Sequence, residues 1–94
     1  MADIRRVTHV LEDFHDWGRP WDYNHAALAH EGLDTSEIQL INELWAEVTA
    51  AKYWVAASFQ TADGIIRPQL STLYPWLTKG AIDSLIRAAS YEWK

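Results

Sequence analysis

The sequence predicts an all-α fold: a compact bundle of four to five helices forming one domain over residues 1–94. Three observations lead there. Apolar residues recur at three- and four-residue intervals through most of the chain, the spacing of amphipathic helices. Gly18-Arg19-Pro20, Gly32 and Pro75 punctuate that pattern into segments. A composition of 49% hydrophobic and 22% charged residues in 94 positions is globular, with room for one modest core.

Taken in order, Asp3 caps a first helix over 3–17, with Ile4, Val7, Val10, Leu11, Phe14 and Trp17 on one face. Gly18-Arg19-Pro20 stops it. A short second helix, 23–30, carries Ala26, Ala27 and Leu28 and ends at Gly32. The third and longest, 35–60, begins at Asp34, Thr35 or Ser36 as N-cap, with Glu37 at the positive end of the helix dipole. It has one face of Ile38, Ile41, Trp45, Val48, Val55 and Phe59 and a second of Leu40, Leu44, Ala51 and Trp54. Two apolar faces imply burial on both sides or a homodimer through residues 36–59. Thr61-Ala62-Asp63-Gly64 reads as the turn that ends it, and Ile65-Ile66 as a linker. Proline suits a first helical position, so Pro68 opens a short helix over 68–74. Thr78 caps the last, 78–93, whose Ile82, Leu85, Ile86, Ala89 and Trp93 repeat at helical spacing.

Several function classes fall away. The chain has no cysteine, so disulfides, thiolate metal sites and cysteine nucleophiles are excluded. No serine lies in G-x-S-x-G, and the four glycines form neither G-x-G-x-x-G nor a Walker loop. No cofactor is expected, and no enzymatic role. The most apolar stretch, Val48 to Phe59, carries Lys52 and falls well short of the roughly 20 residues of a membrane span. The opening residues lack the apolar run of a secretory signal. A cytoplasmic protein without membrane contact is the expectation.

The net charge of −5 is unevenly spread. Residues 1–63 hold four basic and eleven acidic side chains, a balance of −7, while 64–94 hold four and two, a balance of +2. An acidic body repels phosphate backbones and favours basic partners.

The densest chemistry lies in residues 14–32, FHDWGRPWDYNHAALAHEG. His9, Asp13 and Asp16 share a helical face, and His15-Asp16 is a His-Asp doublet of the kind used in metal-dependent hydrolysis. A hydrolase on His9, Asp13, His15 and Asp16 is therefore one alternative, but a chain this short lacks the further ligands such a site needs. His25 and His30, five apart, point about 140° apart on a helix and do not share a metal. A second alternative is a helix-turn-helix DNA-binding regulator in residues 67–94, with Lys79, Ser84 and Arg87 facing the groove and Asp83 opposing it.

The aromatics weigh more. Six tryptophans are a heavy load at this length, and tryptophan and tyrosine are the residues that anchor interfaces. Trp17, Trp45 and Trp54 fall on apolar faces; Trp21 and Trp76 sit beside prolines near helix breaks, and Trp93 lies at the terminus. The expected function is a small acidic, non-enzymatic protein-binding module of inhibitor, immunity or adaptor type, bound to a protein partner yet to be identified. Its candidate contact residues are Trp21, Tyr23 and Trp76, with the carboxylates Glu12, Asp13 and Asp16.

Overall fold

Each long helix begins with a side chain that satisfies the free N–H groups of its first turn. Asp3 accepts from the backbone of Arg5 and Arg6 and opens α1 (Ile4–Glu12). Asp34 opens α3 (Thr35–Val48), Ser58 opens α5 (Phe59–Leu73) and Thr78 opens α6 (Lys79–Glu92), each accepting from the backbone three residues on. Between them lie a 3-10 turn (Pro20–Asp22), α2 (Tyr23–Leu28) and the single-turn α4 (Ala51–Trp54). The computed structural model describes residues 3–15, 17–55 and 58–93, leaving the Phe59 side chain aside. Asp16 and the inward role expected of Phe59 therefore lie outside the described residues.

The result is the expected all-α bundle. Its extents of 38 × 30 × 19 Å make it two helices thick, since one helix with its side chains is about 10 Å across. The centre is α6, which packs against α1, α3 and α5. It buries Ile82, Leu85 and Ile86 together with Ala81, Ala88 and Ala89, whose small side chains let neighbouring backbones come close. No described helix is long and apolar enough to cross a membrane.

Four boundaries differ from the sequence reading, each for a local reason. First, α1 ends at Glu12 rather than Trp17. Phe14 instead meets Trp17 edge-on at 4.9 Å and Tyr23 at 5.2 Å, and this aromatic packing takes the chain off the helical path. Second, α2 stops at Leu28, two residues short of His30.

Third, the single helix expected over 35–60 is broken. Ala50 is extended, with φ −62° and ψ 135°, and Val55 is extended again. Tertiary hydrogen bonds substitute for continuation. The indole N–H of Trp54 donates to the Val48 carbonyl, and that of Trp93 to the Thr49 carbonyl, both at 2.8 Å. The Thr49 hydroxyl turns back to the Trp45 carbonyl. Thus two tryptophans cap the C-terminal end of α3, whose last carbonyls no helical N–H can reach. The continuous two-faced surface that would carry a homodimer through 36–59 does not form. Ile41, Leu44 and Val48 go to the core, while Leu40 and Trp45 pack at its edge.

Fourth, the expected turn Thr61–Gly64, the linker at Ile65-Ile66 and the short helix 68–74 are all parts of one helix, α5. Pro68 lies inside it on the exposed side. A proline there costs about 3 kcal/mol through its missing N–H and its clash with the preceding turn. The complete burial of Ala62, Ile66 and Leu70 on the opposite side offsets that cost. Arg67 reinforces it, reaching Asp63 at 3.0 Å and Asp83 of α6 at 2.7 Å.

Candidate functional site

The elbow between α1 and α2 is built around one buried ring. Pro20 begins the 3-10 turn, where its fixed φ and missing N–H cost nothing. With three residues per turn, Pro20 and Tyr23 fall on the same side, and both are buried. Tyr23 is only 1% exposed. Its hydroxyl donates at 2.7 Å to the Leu11 carbonyl, one of the carbonyls left free where α1 ends. Burial, with a smaller push from the charge of Glu12, holds this phenol well above its usual pKa. Trp17 stacks at 6.0 Å from Tyr23, and the Arg87 guanidinium covers the Trp17 ring at 4.1 Å.

Trp21, between the two inward residues, is turned outward and is 64% exposed. The two aromatics grouped as contact residues therefore part company. Trp21 faces solvent; Tyr23 is structural and presents nothing to a partner. An exposed indole held by a proline and a buried tyrosine has little backbone freedom left to lose on binding.

Between the end of α1 and α2 lies a cleft of about 260 Å³, lined by Asp22 but not by Trp21. Asp13 and His15 line it from the end of α1; Asp22, His25 and His30 line it from the α2 side. Val10, Phe14, Ala26 and Ala27 supply its apolar lining. Across it His30 Nε2 stands 3.5 Å from Asp13, and Asp22 pairs with the exposed Arg19 at 3.2 Å. His15 Nδ1 lies 3.1 Å from its neighbour's carbonyl, Asp13 O.

Helical spacing separated these imidazoles; the fold assembles them. The angular argument assumed that His25 and His30 share one helix, but α2 ends before His30 and the chain turns back toward Asp13. The sequence signal was the density of His and Asp on both sides of a Gly-x-Pro break. Among the described residues, however, no three His, Asp or Glu side chains converge closely enough to hold one metal ion. The hydrolase quartet also divides: Asp13 and His15 face the cleft, whereas His9 opens on a separate groove.

That groove, about 350 Å³, runs between α1 and the 74–78 turn, with Ile4, Arg5, His9 and Trp76 along it. Trp76 is half-buried and meets Tyr74 edge-on at 6.0 Å. Glu12 belongs to the joint between helices. It accepts the Thr78 hydroxyl, and its carboxylate lies so close over Gly80 that a Cβ there would sit 3.2 Å from Oε2. A carboxylate at the start of α6 also meets the positive end of that helix. Of the candidate carboxylates, Glu12 serves α6 and Asp13 serves the cleft, while Asp16 lies outside the described residues.

The residues of the DNA-binding alternative are engaged as well. Arg87 lies on Trp17, Lys79 pairs with Asp83 at 3.5 Å, and Ser84 is half-buried.

No protein-family model, curated protein or solved structure matches the chain.

Proposed function

We propose that this chain is a small acidic protein-binding module, of inhibitor, immunity or adaptor type, that works by stoichiometric association through its α1–α2 elbow. The observation that carries this reading is Trp21, a large aromatic exposed from the 3-10 turn and next in the chain to Asp22, which lines the cleft. Tryptophan gives large contact area for few rotatable bonds, and such residues dominate binding energy at interfaces. The absence of cysteine suits a reducing cytoplasm. The helix-turn-helix reading has weaker support, because Arg87 lies on the Trp17 ring and the carboxylate of Asp83 stands beside Lys79.

The test is affinity capture from source-cell lysate with the wild-type chain and with Trp21→Ala side by side. A partner held in fixed stoichiometry should be retained by the first and bound roughly 30-fold or more weakly by the second. Equal recovery by both baits, with the variant folded by circular dichroism, would reject the elbow as the contact surface.

A further inference from the structure

We infer that the cleft between α1 and α2 receives an arginine side chain of the partner, with Asp13 taking the guanidinium from the α1 side and Asp22 from the α2 side. The inference rests on the binding-module reading above and names the chemistry of its partner.

Charge is the first argument. Among the described residues no lysine or arginine lines the cleft, while two carboxylates do, alongside His15, His25 and His30. It lies within residues 1–63, whose balance is −7. The cleft and its surroundings both select a cation.

Size and geometry then choose which cation. A metal ion needs donors gathered around one point about 2 Å away, and these side chains do not converge. A planar guanidinium needs the opposite arrangement. Its five N–H donors fan outward and are best satisfied by acceptors on separated walls. Asp13 stands on the α1 side and Asp22 on the α2 side, and the rings of His15 and His30 line the same cleft. Phe14 offers an aromatic surface for the flat cation, and Ala26 and Ala27 an apolar one for the methylene stem.

Both carboxylates are available for exchange. Asp22 already holds a guanidinium, that of Arg19, in a pair whose cation is 63% exposed. Asp13 reaches His30 only at 3.5 Å, with its own side chain 50% exposed. Exposed pairs of this kind are worth little and are readily traded. An arginine from outside would replace them inside the cleft and leave Arg19 to solvent.

The experiment is a titration of the folded chain with acetyl-Gly-Arg-Gly-amide, followed by nuclear magnetic resonance. Saturable shifts are expected at the Ala26 and Ala27 methyls and the His30 ring, with a Kd on the order of 1 mM for so small a probe. The citrulline peptide, equal in shape but uncharged, should bind at least tenfold more weakly. The double variant Asp13→Asn/Asp22→Asn should lose the same tenfold while keeping its melting temperature. Absence of saturation, equal binding of citrulline, or unchanged binding by the double variant overturns the inference. So does zinc saturating the same histidine signals where arginine does not. Capture of a partner that depends on Trp21, together with no arginine binding, refutes the inference and leaves the module reading standing. Arginine binding without any partner that depends on Trp21 does the reverse.

Discussion

Two clusters of acidic and basic side chains meet where helices join, and they are built to opposite rules. At the α1–α3 joint, Glu37 is buried with 0% exposure. One carboxylate oxygen takes the Asp3 N–H at 2.7 Å; the other takes Arg6 at 2.9 Å and the Asp34 N–H at 3.0 Å. Arg6 also donates to the Gly32 carbonyl at 2.9 Å, and Asp34 closes a capping box with Glu37. Every charge there has partners. At the elbow the ion pairs of Asp13 and Asp22 are exposed and neither includes a buried carboxylate like Glu37, and on neighbouring α2 the side-chain oxygen of Asn24 is buried without a donor. The lesson is that charge density alone does not mark a site. Saturated, it is structure; left open around a cavity, it has capacity for a ligand.

The sharpest way to break the contrast is Glu37→Ala. It strands Arg6 and two backbone N–H groups near the core, so it should lower the melting temperature by roughly 10 °C or more. Asp13→Asn should change it by far less; comparable losses on thermal denaturation would erase the distinction. Acid should attack the same joint. Hydrogen bonds from the Asp34 and Asp3 backbone, then Arg6, hold Glu37 below its ordinary value of 4.5. A depressed carboxylate stabilises the fold fully above that value and loses its contribution as pH falls through the folded pKa. Chemical stability should therefore decline below about pH 4.5 in the wild type and more gently in Glu37→Gln.

A smaller effect probes the floor of the elbow. Tyr23→Phe leaves the Leu11 carbonyl without its donor and should cost about 1–2 kcal/mol by urea denaturation. Smallest of all, Trp21→Ala should stay within about 0.5 kcal/mol of wild type, because the ring touches solvent more than protein. Loss of several kcal/mol at Trp21 would recast it as core and remove the basis of the proposed interface.

The last helix was the most legible part of the chain. Thr78, Ile82, Leu85, Ile86 and Ala89 state its cap and face in local terms, and those terms decide the outcome. The middle was not legible, because long-range partners decide it. Nothing near Thr49 announces a break; the carbonyls released there are satisfied by Trp54 and by Trp93, 44 residues distant from Thr49. Pro68 and Gly64 gave correct local warnings that burial of Ile66 and Leu70 overrode. Trp21, named from the sequence as a candidate contact residue at a break, is exposed. Tyr23 was grouped with it only because one dimension cannot show which residues a 3-10 turn points inward. The histidines were set aside by a helical angle that holds only inside a helix.

The bridge from Arg6 to Glu37 spans 31 residues, and the whole elbow lies within that span. In kinetic terms, the capping box of α3 is local and free to form early, whereas Arg6 and Asp3 can join it only after the intervening loop has closed. The cleft is then shaped by an event at its distant ends. Substitutions at Asp3 or Arg6 should slow the appearance of the cleft during refolding, whereas those at Asp13 or His30 should leave that rate unchanged.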